Sequence, residues 1–150
     1  MPHFSLQLSP QGPIVDAGMT VSTARQQALV AQNLAIPPPQ IVRGLIDTGA
    51  GLSAVDPSVL QALGLNPTGE AEIFTPTTGG IPVKIPTYDV CIAILAGRTG
   101  DVHFISDTIQ VTGASLTAQG LGYQVLIGRD ILKSCILYFN GADGVFSLSY

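Results

Sequence analysis

The sequence predicts a mostly β protein, and three observations carry this. Seventeen Gly and eleven Pro cut the chain of 150 residues into short apolar segments. Several of these segments alternate apolar and polar residues with the two-residue period of a half-buried strand. Hydrophobic residues make up 46% of the chain and charged residues 11%, which supplies a core and excludes a disordered chain. The length suits one ordinary domain over 1–150, with strands and an extra helical segment in 1–40 and the core in 41–150. No internal repeat or linker interrupts it.

Residues 4–8 alternate with Phe4, Leu6 and Leu8 on one face, and 14–21 read as a second strand. Segment 23–34 places Ala24, Ala28, Leu29 and Ala31 among Gln and Arg with no breaker, which predicts a short amphipathic helix or a long ordered loop. Pro37-Pro38-Pro39 ends it. Residues 40–47 form an apolar strand running into Thr48-Gly49. Asp56-Pro57 opens a helix with Asp56 as N-cap and Pro57 in its first position. Val59, Leu60 and Leu63 make the buried stripe and Gly64 the stop. Residues 71–74 and 82–95 are strands about the turn Thr77-Thr78-Gly79-Gly80. Further strands are expected at 102–106 and 108–111, a loop at 113–122 and a strand at 124–127. Gly128-Arg129-Asp130 then turns into a short helix, 131–135. The chain closes as a hairpin, 136–139 and 145–150, about Asn140-Gly141-Ala142-Asp143-Gly144.

Charge narrows the function classes. The net charge is −4 and no Lys/Arg cluster exists, so neither a nucleic-acid nor an anionic-membrane surface is expected. So few charges also suggest that a partner covers some apolar surface. Cys91 and Cys135 lack metal spacing and read as two buried thiols of a reducing compartment. His3 and His103 have no ligand-rich neighbours, so no metal and no cofactor is expected. The first ten residues lack a basic segment and a long apolar run, so they do not read as a signal peptide. No apolar stretch approaches the roughly 20 residues of a membrane span, and a soluble cytoplasmic protein is expected.

Leu45-Ile46-Asp47-Thr48-Gly49-Ala50 is the most informative stretch. A carboxylate follows a buried strand at a sharp turn, where Gly49 lets the backbone fold back towards it. Asp-Thr-Gly also occurs as an ordinary surface turn, but a solvated turn does not require an apolar lead-in. The second stretch is Val125-Leu126-Ile127-Gly128-Arg129-Asp130-Ile131-Leu132, with Gly128 81 positions after Asp47. Apolar residues, a Gly and a helix start are what a crowded strand exit needs.

These two stretches, the helix at 57–65, the hairpin at 75–85 and the C-terminal hairpin together resemble the retropepsin-like aspartic proteases, especially the stand-alone bacterial ones. The resemblance covers about 110 residues, from Ile41 to the end. It implies a closed, orthogonally packed β-barrel with one or two short helices, and a site on a two-fold axis. The chemistry needs two carboxylates about 3 Å apart sharing one proton. One Asp-Thr-Gly occurs here, so Asp47 has to meet Asp47 of a second copy in a homodimer. The resemblance further implies that Thr48 locks the two copies together beneath the dyad. Gly49 binds substrate backbone through its carbonyl, and Ala50, Gly51 and Ile127 contact substrate. Thr77, Thr78, Gly79 and Gly80 form the tip of a closing flap, and Gly128, Arg129 and Asp130 support the site.

The pattern departs from the family at Gly51 and Leu52. Retroviral enzymes carry an acid at the position of Gly51, and it pairs with the arginine matching Arg129. Asp130 and Asp56 are candidate replacements, and an unpaired surface Arg129 is the alternative. The segment 23–34 is a second departure, suited to padding a dimer interface or covering the barrel. The expected function is an endopeptidase acting on extended, apolar-flanked peptides. The alternative is a retropepsin-fold dimer that binds peptides with little or no turnover. A domain cut from a polyprotein fits less well with a chain that starts at Met and stops after a finished hairpin. Ala50 brings no hydroxyl to the carboxylate, where two-lobed pepsins carry Ser or Thr. Activity is therefore expected at mildly acidic to neutral pH, and a rate profile peaking below about pH 3 contradicts this.

Overall fold

The computed structural model describes residues 1–74, 77, 79–95 and 103–150. The strands are β1 (His3–Gln7), β2 (Ile14–Val21), β3 (Gln40–Ile46), β4 (Ala54–Val55), β5 (Gly69–Ile73), β6 (Val83–Leu95), β7 (Phe104–Gly113), β8 (Val125–Ile127), β9 (Ile136–Asn140) and β10 (Val145–Ser149). Among the described residues three α-helices accompany them, α1 (Thr23–Ala31), α2 (Pro57–Ala62) and α3 (Arg129–Leu132), with a 3-10 turn at Thr117–Gln119. The large sheet runs β2-β3-β8-β4-β7-β6-β5, and a further β2–β6 pairing closes its first six strands into a barrel. The mostly β class and the closed barrel are as expected.

Closure follows from β2. Val15, Ala17, Met19 and Val21 are at most 1% exposed and point inward. The same strand pairs antiparallel with β3 on one side and with β6 on the other. Val90, Ile92 and Ile94 of β6 stand directly beside Val21, Met19 and Ala17 in that pairing, all at 0% exposure. Burying each such side chain is worth about 2 kcal/mol. The small sheet β1-β10-β9 joins the same core through Phe4, Phe146 and Leu148. The rings of Phe4 and Phe146 meet edge-to-face, with centroids 6.5 Å apart.

Four sequence expectations change. The helix α1 stops at Ala31, well before the prolines. Asn33 takes a left-handed conformation (φ 55°), and the Leu34 amide donates to the Leu29 carbonyl at 2.9 Å, closing a Schellman turn. Of the apolar residues on α1 only Leu29 is buried, so polar contacts hold the helix. Ser22 caps it, Gln26 Nε2 donates to the Val21 carbonyl, and the Thr23 hydroxyl donates to Asp107 on β7. The two strands expected at 102–106 and 108–111 are one, β7, because β6 pairs with both halves and absorbs the mismatch as an irregularity between Val90 and Ile92. Val102 lies outside the described residues. The expected helix 131–135 instead begins at Arg129 and ends at Leu132. Cys91 and Cys135 are free and half-buried rather than fully buried, and burial pushes the Cys135 thiol up.

The helix α2 forms as predicted. Asp56 is buried and accepts from the amide and hydroxyl of Ser58 through Oδ1. Its Oδ2 accepts from the amides of Leu116 and Thr117 and from the Thr117 hydroxyl. One carboxylate thus ties α2 to the loop after β7. Burial by itself raises the carboxyl's pKa, but the Ser58 and Thr117 donors outweigh it and hold the group well below the ordinary aspartate value. The folded value is the lower one, so this stabilisation is complete above about pH 4 and is lost as pH falls below it. Asp56→Ala should cost about 3 kcal/mol at neutral pH, measured by urea denaturation. The gap between variant and wild type should shrink below about pH 4, and a gap that stays constant into acid contradicts the assignment.

Candidate active site

The strands β3 and β8 run parallel, with Gly44, Leu45 and Ile46 beside Val125, Leu126 and Ile127. At Gly44 an added Cβ would lie 3.0 Å from Ile127 Cδ1, so the bare backbone leaves that side chain its place. The two informative stretches of sequence therefore leave the barrel side by side. The Asp47 amide donates to the Ile127 carbonyl at 2.9 Å, which fixes the first residue beyond β3. The chain then turns: the Gly49 amide donates to Asp47 Oδ1 at 2.8 Å, and the Ala50 amide to the Asp47 carbonyl at 3.3 Å. Asp47 is half-buried, while Thr48 and Gly49 are exposed.

A second set of contacts clamps this loop to the exit of β8. The Arg129 amide donates to the Ala50 carbonyl at 2.9 Å. Buried Ser53 takes a hydrogen bond from the Gly128 amide at 3.0 Å and gives one from its hydroxyl to Asp130 Oδ1 at 2.8 Å. The Ser53 amide donates to Asp130 Oδ2 at 2.9 Å, and the Ser53 carbonyl accepts from the Thr112 amide at 3.0 Å. Ser53 thus joins the Asp47 loop, α3 and β7. Nothing in the sequence marked it, because its partners lie 59 and 77 positions away.

The loop opens onto a cleft of about 560 Å³. Gly49, Ala50, Gly51 and Leu52 line one side with Arg129 and Leu126. Glu72, Ile73, Phe74 and Ile85 of the β5–β6 hairpin line another, near Thr112, Gly113 and Ala114. Thr77, Gly79 and Gly80 lie in the exposed connection of that hairpin and do not border the cleft of the single chain. Thr78 lies outside the described residues. Ala50 and Gly51, expected to contact substrate, both line the cleft.

Two expectations are corrected here. Ile127 was expected to contact substrate, but it is fully buried in the barrel core. Alternation along β8 sends its neighbour Leu126 into the cleft instead. Neither Asp130 nor Asp56 pairs with Arg129. The oxygens of Asp130 are held by Ser53 and the Ile131 amide, and those of Asp56 by its own five donors. Arg129 is exposed, with Nη2 3.7 Å from where a Cβ on Gly51 would stand.

Among the described residues no group of three or more His, Cys, Asp or Glu could hold a metal ion, and no helix is long and apolar enough to cross a membrane.

No family model matches the chain, and no curated relative matches it by sequence. Its fold does match solved structures. One is the crystal structure of a retropepsin-like aspartic protease from Rickettsia conorii, with a TM-score of 0.56 and 14% identity over 99% of this chain and 90% of that one. At this identity the likeness is one of fold, the retropepsin-like barrel.

The strand exit yields a test. Gly128 has φ −90° and ψ −175°, which any residue can adopt, so its requirement is space. An added Cβ would lie 2.9 Å from the Leu52 carbonyl carbon and 3.0 Å from the Ala50 oxygen, both backbone atoms. Gly128→Ala should destabilise the protein by about 2 kcal/mol in urea denaturation. A change within about 0.5 kcal/mol, the usual range for surface positions, contradicts the crowding.

Proposed function

We propose that the chain is an aspartic endopeptidase whose site is completed by a second copy, with Asp47 of each copy forming the catalytic dyad. The observation that carries this is the Asp47 carboxylate at the start of a clamped loop whose next residues, Gly49 to Leu52, line a cleft of about 560 Å³, in a retropepsin-like barrel. One such carboxylate cannot serve as acid and base at once, and two facing each other across a two-fold axis can.

In this reading the dyad carries one proton. The ionised carboxylate takes a proton from water as the water oxygen attacks the peptide carbonyl carbon. The protonated partner gives its proton to the carbonyl oxygen. The tetrahedral gem-diol then breaks its C–N bond: the amine leaves with the proton the dyad took from water, and one diol hydroxyl returns its proton to the dyad as the carboxylic acid forms. Gly49 holds Asp47 Oδ1 and so orients the carboxylate. Thr48 is exposed and its hydroxyl makes no hydrogen bond among the described residues, which suits a contact with the second copy. Ile136, Tyr138 and Phe139 on β9 expose apolar surface for such a copy to cover. Leu52, Ile73, Phe74, Ile85 and Leu126 give the cleft an apolar lining, which suits peptides with apolar residues flanking the scissile bond.

Sedimentation should find a dimer. Digestion of a peptide library should lose more than about a thousandfold in rate with Asp47→Asn. A variant that cuts as well as wild type contradicts the assignment. A dimer that retains peptides without cutting them supports the binding alternative, which the Gly51 and Leu52 departures favour.

A further inference from the structure

We infer that Arg129 selects peptides by an acidic side chain, one on each side of the scissile bond. This rests on the cleft being a peptide site, as proposed above. The guanidinium Nη2 lies 3.7 Å from where a Cβ on Gly51 would stand, beside the loop that follows Asp47, and Arg129 borders the same cleft. It is exposed and has no ion-pair partner among the described residues. Asp130 and Asp56 are engaged elsewhere. Both oxygens of Asp130 accept hydrogen bonds from Ser53, and Asp56 is buried among the Ser58 and Thr117 donors. The residues that could carry an acid beside it are Gly51 and Leu52.

A guanidinium is a planar fork of donors that suits a carboxylate, and it does not lose its charge. Seated peptide removes water from the cleft and strengthens that contact. The remaining charge lining the cleft is Glu72, on the β5–β6 hairpin. It disfavours an acid on its own wall and so restricts the acidic side chain to the Arg129 side. A homodimer presents Arg129 twice, related by the two-fold axis, so the preference repeats about the scissile bond.

The test uses peptides with a fixed apolar centre and Glu or Gln at each flanking position in turn. For wild type, at least one position on each side should favour Glu over Gln by about tenfold in kcat/KM at low salt, and the ratio should fall as ionic strength rises. Arg129→Gln should bring the Glu/Gln ratio to about one, and Arg129→Glu should shift the preference to Lys. Binding of the same peptides to the full-length Asp47→Asn protein gives a readout that needs no turnover. Tighter binding of Glu peptides there supports the inference even if wild type cuts nothing, an outcome that overturns only the protease reading. Equal binding of Glu and Gln peptides overturns the inference even if wild type cuts both. Binding of neither overturns it as well. Should Arg129→Gln sediment as a monomer, the peptide pairs on the Asp47→Asn protein still decide the matter, because Arg129 is intact in it.

Discussion

Two parallel strands that leave a barrel side by side compete for the same space one residue later. Here β3 and β8 end in register, Ile46 beside Ile127, and both must turn at once. The missing Cβ at Gly128 provides the room, with Ala50 and Leu52 backbone already at contact distance from where it would stand. The rest of the site follows from that crossing. The loop of Asp47 can pass over the start of α3 only because Gly128 is bare, and Ser53 then stitches the two together. The helix α3 turns by about 100° per residue, so neighbouring residues face different ways. Arg129 borders the cleft while Asp130 turns inward to Ser53.

The barrel and the hairpin beside it divide the labour along one strand. The second half of β6 is locked between β2 and β7, with Val90, Ile92 and Ile94 fully buried. Its first half leaves the barrel and pairs with β5, where Ile73 faces Val83. Phe74, Ile81 and Val83 are exposed there, so the hairpin is held by its ladder rather than by a core. A rigid floor carrying the carboxylate is thereby joined, through a single strand, to a wall with few buried contacts.

Much of this was legible in the chain because alternation and capping are local. The strand β2 reads directly from Val15, Ala17, Met19 and Val21, and α2 from Asp56-Pro57 and Gly64. Gly128 could be recognised as a crowded exit because its neighbours are apolar on one side and helical on the other. What escaped depends on register between distant segments. Ser53 is an unremarkable residue until β4, α3 and β7 converge on it. Ile127 was misplaced for a related reason. On a strand of three residues, buried at both ends, a slip of one position exchanges core and cleft. The start of α3 was missed because Gly128 caps it without a side chain. The end of α1 was missed because Asn33, rather than the prolines, takes the left-handed turn.

Gly51 and Gly128 lie on the two sides of one crossing, and they are glycine for different reasons. A Cβ on Gly128 would strike backbone. A Cβ on Gly51 would meet only Arg129 Nη2 at an ordinary 3.7 Å, and its backbone is not left-handed. Packing at Cβ and backbone conformation therefore leave room for a side chain at 51, an acidic one included. An acid there would occupy the Arg129 guanidinium from within the chain. With Gly51, the guanidinium that borders the cleft has no ion-pair partner among the described residues, and its planar donors stay available to a carboxylate from outside the chain.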